Sequence, residues 1–164
     1  VPDPPPGGAV LEVEAVGLCG SDVAQYGGVE LVPGACTFPV VPGHETVGRV
    51  MKLASDAALG VEEGDRVAVN EILMAAGPLR LYGYSDMRGD GEVGLWGGYG
   101  EYMEIFPGTE LHRMSSTVPD CIACTVFAPI ADGGRRSSIR GSLLARPTRA
   151  SRLSPRPGAI APPM

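Results

Sequence analysis

A histidine and a glutamate stand side by side in Phe38-Pro39-Val40-Val41-Pro42-Gly43-His44-Glu45-Thr46-Val47-Gly48. Pro42 fixes its own φ and Gly43 permits unusual backbone angles, so His44 follows a tight, rigid corner. A second polar cluster lies upstream, in Gly17-Leu18-Cys19-Gly20-Ser21-Asp22. Together the two segments offer a thiol, an imidazole, a hydroxyl and two carboxylates, which are zinc-site donors and their usual supports.

The elements that must position them read mainly as short strands. Leu11 to Val16 alternates apolar and acidic residues, the pattern of a half-buried strand, and Gly17 breaks it just before the Cys19 cluster. Thr46 to Lys52 reads as the next strand, Val67-Ala68-Val69 as a short one, and Glu101 to Phe106 as another, ended by Pro107-Gly108. Strands separated by Gly/Pro turns predict a β-barrel or sandwich rather than a βαβ array. The one helix signal is Thr117-Val118-Pro119-Asp120: Thr117 as a cap, Pro119 in the first turn and Asp120 at the positive end of the dipole. Cys121 and Cys124, three apart, would share one face of that helix. Trp96 and Tyr99 are expected to pack the barrel, and His112 to lie at a surface or strand end.

Composition divides the chain. Gly and Pro make up about a quarter of its 164 residues, which implies many turns or an unstructured segment. Residues 1–132 hold all 19 acidic residues and six of the 13 basic ones, whereas 133–164 hold seven arginines and no acid. The expected organisation is a disordered start over 1–8, a domain over 9–115, a connecting segment over 116–132 and a disordered or non-native tail over 133–164. Four cysteines are too few for a disulfide scaffold and suit a reducing, cytoplasmic compartment. No stretch is long and apolar enough to predict a membrane span, and the basic tail lacks the interleaved aromatics of a nucleic-acid binder.

Four segments occur in an order that resembles the medium-chain, zinc-dependent alcohol dehydrogenases: Gly17 to Asp22, Gly43 to Gly48, Gly64-Asp65-Arg66-Val67 and Gly97-Gly98-Tyr99-Gly100-Glu101-Tyr102. The resemblance covers roughly residues 9–132. It implies a GroES-like, partly open β-barrel with a helix near its C-terminal side. This would be the catalytic half of a two-domain enzyme whose other half, a Rossmann domain carrying NAD or NADP, is expected to be missing here. Zinc lowers the pKa of an oxygen it binds, and an alcohol needs that loss of a proton before it can pass hydride to a nicotinamide.

By this resemblance Cys19 and His44 correspond to metal ligands, within the Cys₂His set known for alcohol dehydrogenases. Cys124 corresponds to the third ligand, with Cys121 as the alternative, because Ala128 stands where some relatives place a carboxylate before Pro129. Asp22 corresponds to the carboxylate that orients the ligand imidazole. Glu45 is the acidic neighbour of the metal, and Ser21 the hydroxyl that takes the alcohol proton. Each has a plainer reading: a buried thiol for Cys19, a structural histidine for His44, a turn or capping role for Asp22 and Ser21, a strand-edge acid for Glu45, helix-core thiols for Cys121 and Cys124. Ala24 occupies the place of a histidine that continues the proton relay in many relatives. No cysteine lies between Cys36 and Cys121, so one catalytic zinc and no structural zinc is expected. Gly89-Asp90-Gly91-Glu92-Val93-Gly94 satisfies a dinucleotide-binding spacing, but it follows no strand signal and carries two acids, so it is not taken for one.

The expectation is therefore a catalytic portion of an alcohol or polyol dehydrogenase, inactive as a fragment, with a homo-oligomer in the full-length parent. The alternative is a non-catalytic, GroES-like zinc-binding or interaction module.

Overall fold

The structure, a computed structural model, describes residues 1–29, 34, 36–73, 79–91 and 93–124. Five antiparallel strands form the main sheet: β1 (Ala9–Gly17), β2 (Glu45–Leu53), β3 (Arg66–Val69), β6 (Tyr102–Ile105) and β7 (Leu111–Arg113), in the order β6-β1-β2-β3-β7. A separate hairpin-like pair joins β4 (Ile72–Leu73) to β5 (Arg80–Leu81). Two short helices complete the described elements, α1 (Gly20–Tyr26) and α2 (Asp120–Ala123). The fold is mainly β and open: β6 and β7 are the two edges of the sheet rather than partners. All pairings among the described residues are antiparallel, so no parallel βαβ unit occurs among them.

Register explains which strand residues are buried. Gly48 faces Val13 across the β1–β2 ladder, and a side chain there would meet the backbone of Glu12. Register shifts between Val10 and Leu11 and between Val13 and Ala15 mark bulges that bend β1. Leu11, Val50, Val67, Val69, Met103 and Ile105 enter one core with Tyr82, Met87 and Trp96. Val47 and Ala68 enter a second, smaller core under α2, with Ala123 and Cys124. β3 is therefore covered on both faces, and all four of its residues are buried.

The one polar member of β3 is Arg66, and every nitrogen of its buried guanidinium is engaged. Nε donates to Glu14 at 2.7 Å and Nη2 to Asp120 at 2.7 Å, while Nη1 donates to the carbonyls of Ser115 and Val118 at 2.9 and 3.0 Å. This fork ties β1, β3 and the entry to α2 together.

Several local features depart from the sequence reading. Residues 1–8, expected as a disordered start, carry Pro5 and Gly8 buried, with Gly8 N–H on the Pro5 carbonyl at 2.9 Å and Gly7 N–H on Asp56 at 2.8 Å. The Cys19 cluster, placed by the sequence only at the end of a strand, caps and opens helix α1. The cap residue of α2 is Pro119 rather than Thr117, whose hydroxyl instead bonds Ser115 at 2.8 Å. In the decoy glycine segment the N–H groups of Gly89 and Gly91, with that of Arg88, all point at the Asp86 carboxylate, so those donors are spent. Ala128, Pro129 and the whole of 133–164 lie outside the described residues.

Candidate metal centre

The site forms where the end of β1, the start of α1 and the start of β2 meet. Cys19 is the N-cap of α1 in an extended conformation, and Asp22, at the third helical position, accepts its backbone N–H at 2.8 Å. That carboxylate satisfies an amide that the first turn leaves open and suits the positive end of the helix. His44 follows Gly43, which adopts φ +92, a value that only glycine takes without strain. Glu45 opens β2 opposite Gly17, and a Cβ on Gly17 would sit 2.1 Å from the Glu45 carboxylate. The glycine that ends β1 thus makes room for the Glu45 side chain beside Cys19.

The Cys19 thiol, a ring nitrogen of His44 and a carboxylate oxygen of Glu45 all lie within 4.8 Å of one another. Bonds of about 2.0–2.3 Å to a tetrahedral zinc set donor edges of under about 4 Å, so the trio stands close to a ligating arrangement. Asp22 is placed behind the imidazole: its Oδ1 lies 3.3 Å from His44 Nδ1, an ion-pair contact less well aligned than a hydrogen bond. On the other side of the ring, Ser21 Oγ lies 3.3 Å from Nε2. Cys124 does not join the trio. It packs in the small core against Val47, Ala68 and Ala123, where burial and the nearby charges of Asp120 and Glu45 push its thiol up to about 11. Cys121 lies half-buried on the same helix.

Negative charge concentrates around one imidazole. Burial by itself would lower the His44 pKa, but the adjoining Asp22 carboxylate outweighs it, and the ring is raised to about 9. Burial pushes the Asp22 carboxyl up, yet His44, the Cys19 amide and the Tyr99 hydroxyl outweigh that and hold it below its ordinary value. Burial raises the carboxyls of Glu45 and Glu71, and the neighbouring acids add to it. Three partly or fully buried carboxyl groups, a thiol and an imidazole at one place suit a divalent cation, which offsets charge that the interior disfavours. The donor set therefore fits zinc.

Three further residues belong to this neighbourhood. Glu71, just before β4, adds the third acid. Tyr84 sets its ring 5.2 Å from the imidazole, tilted by 42°, with Ser21 beside its hydroxyl. Tyr99, expected in the barrel core with Trp96, instead stands at the surface beside Asp22, whereas Trp96 is buried as expected. An apolar pocket of about 380 Å³ opens between Tyr99, Asp22, Leu18, Val23, Phe38 and Pro42. His112 lies in β7, 3.2 Å from Glu110.

An open antiparallel β fold here brings a thiol, an imidazole and a carboxylate together at the end of its first strand, as a candidate metal centre. A family model for the alcohol dehydrogenase GroES-like domain matches residues 5–116, and the chain belongs to that family. It is 40% identical over 144 residues to a probable alcohol dehydrogenase of Mycobacterium tuberculosis, a match covering 77% of this chain and 38% of that protein. It is 43% identical over 81 residues to an erythritol/L-threitol dehydrogenase of Mycolicibacterium smegmatis, covering 44% of this chain and 22% of that one. Among solved structures, an alcohol dehydrogenase from Thermotoga maritima superposes with a TM-score of 0.61 at 22% identity, over 76% of this chain and 38% of that one. The chain thus spans well under half the length of these relatives.

Proposed function

We propose that this chain carries the zinc-binding catalytic part of an NAD- or NADP-dependent alcohol or polyol dehydrogenase. The observation that carries this is the convergence of Cys19, His44 and Glu45 within 4.8 Å, in a chain of the alcohol dehydrogenase GroES-like family. When bound, zinc would polarise the oxygen of the alcohol and make its proton easier to remove.

The chain's own residues do the rest of the work assigned to this half. Cys19 and His44 supply two ligands. Glu45 is the third donor of the arrangement as it stands, and Cys124, the C-terminal cap of α2, is the residue the family resemblance assigns to that place. Asp22 holds His44 Nδ1, which leaves Nε2 to face the metal. Ser21, within reach of that nitrogen and beside the Tyr84 hydroxyl, receives the alcohol proton. With Ala24 in the relay position, the proton passes on from Ser21 by way of water. One catalytic zinc and no structural zinc are assigned to the chain. Four free thiols support a cytoplasmic setting. In this reading the nicotinamide is held by a separate domain of the enzyme and the subunits associate, and residues 1–124 without such a domain would turn over little or no alcohol.

Metal analysis of the purified chain tests this reading. About one zinc per chain is expected, lost in Cys19→Ala and in His44→Ala. Glu45→Gln and Cys124→Ser, compared side by side, show which residue is the third ligand. A chain that takes up no zinc overturns the reading.

A further inference from the structure

We infer that Tyr99 is a positioning residue for the metal donors, acting on His44 both through Asp22 and through the backbone corner that delivers the imidazole. This rests on the zinc reading above and adds a residue that reading does not use.

The first route is through the side chain. The Tyr99 hydroxyl lies 3.4 Å from the Gly17 carbonyl and interacts electrostatically with the Asp22 carboxylate, beside it in one pocket. Asp22 meanwhile spends Oδ2 on the Cys19 amide at 2.8 Å and turns Oδ1 to His44 Nδ1 at 3.3 Å. A single carboxylate thus holds the cap amide of one metal donor and faces the ring of another, with the phenol beside it. Tyr99 and Asp22 share the apolar pocket, whose walls of Leu18, Val23, Phe38 and Pro42 present little competing polarity. A polar interaction with a carboxylate in such surroundings is stronger than one in open water.

The second route is through the backbone. Tyr99 N–H donates to the Pro42 carbonyl at 3.0 Å and Gly98 N–H to the Gly43 carbonyl at 2.8 Å. These are the two residues immediately before His44. The Tyr99 ring lies so close to Gly43 that a Cβ there would stand 3.0 Å from ring carbon Cδ1. The approach requires the preceding glycines: a Cβ on Gly97 would fall 1.8 Å from the Val41 carbonyl, and one on Gly98 2.2 Å from Thr46 Oγ1. The loop is therefore pressed against both sides of the His44 corner, and the first large side chain it carries is the one that reaches Asp22. Outer partners of this kind set the orientation and basicity of a ligand imidazole.

Tyr99→Phe, made in the 164-residue chain, removes the hydroxyl and keeps the ring. Zinc affinity, by competition with a chromophoric chelator, is expected to fall about tenfold or more. The Co(II)-substituted protein should show a shifted d–d spectrum, while the thermal midpoint of the metal-free protein stays at the wild-type value. In an Asp22→Asn background the same change should cost no further affinity, because the side-chain route is already cut. Unchanged affinity and spectrum in Tyr99→Phe overturn the inference and leave the zinc reading standing. A loss of equal size in the Asp22→Asn background, or one matched by a drop in metal-free stability, overturns it as well. A wild-type chain that takes up no zinc overturns both.

Discussion

The Asp22 carboxylate is shared between the imidazole of His44, 3.3 Å from Oδ1, and the backbone amide of Cys19, 2.8 Å from Oδ2. Two donors far apart in sequence are thereby held by one buried side chain. Asp22→Asn preserves its shape and its ability to accept the Cys19 N–H, but removes the charge that faces the ring. Zinc affinity is expected to fall about 10- to 100-fold, the usual cost of losing a partner behind a ligating histidine. Zinc titration of the variant checks this, and an affinity equal to wild type would show that His44 is oriented by its backbone alone.

Arg66 is expected to be the most costly charged residue to remove. Its guanidinium is buried and its donors go to two carboxylates and two carbonyls. Arg66→Ala would leave Glu14, half-buried, without that partner, although Arg49 also reaches Glu14 at 2.8 Å. The loss should be about 3 kcal/mol, at the lower end for a broken buried pair because Asp120 is largely exposed. Arg66→Lys should recover only part of it, since an ammonium cannot reproduce the planar fork. Urea unfolding of the two variants gives both numbers.

The longer strands were legible because alternation and turn residues fix them locally. Leu11 to Val16, Thr46 to Lys52, Val67 to Val69 and Glu101 to Phe106 fall on β1, β2, β3 and β6. The strands of two or three residues, β4, β5 and β7, are too short for any period to show. Helix α1 is seven residues long and carries no helical apolar pattern; its signal is the Cys19-x-x-Asp22 spacing, in which the third helical residue returns to the cap amide. Cys19, His44 and Glu45 were readable from their segments. Glu71, Tyr84 and Tyr99 were not, because what brings them to His44 is the folding of turns on either side of β5 and before β6, and residue type says nothing of that. Tyr99 was assigned to the core on its aromatic character; its hydroxyl and its two glycine neighbours place it at the site instead.

The glycines before Tyr99 give a sharp test of that packing. Gly97→Ala would put a methyl group 1.8 Å from the Val41 carbonyl and 2.6 Å from that of Pro42. Backbone atoms cannot yield as the end of a flexible side chain does, so the loop must move away from the His44 corner. A destabilisation of about 3 kcal/mol is expected, the upper range for overpacking. Gly91→Ala has open space around it but adopts φ +79, so strain alone should cost about 1 kcal/mol. Thermal unfolding of the pair separates a steric cost from a conformational one. Equal losses would mean that the Gly97 contact is relieved by a small local shift.

The His44 ring gives the chain a pH dependence whose sign can be stated. Its pKa in the metal-free fold is raised from 6.5 to about 9 against the trend of burial, chiefly by Asp22, with Cys19 and Glu71 adding to the effect. A pKa above that of the unfolded chain means the folded state binds the proton more tightly. The resulting stability is fully present below pH 6.5 and is lost as pH rises through about 9. The thermal midpoint of chelator-treated protein should therefore fall across that interval, and Asp22→Asn should flatten the fall. Zinc and the proton compete for the same ring, so zinc affinity should rise with pH over the same interval. Zinc uptake at neutral pH should then release protons, that of His44 among them. Calorimetry in buffers of different ionisation enthalpy counts them. A midpoint and a proton count that do not change with pH would mean that His44 is already neutral before the metal arrives, and that Asp22 orients the ring without holding a charge on it.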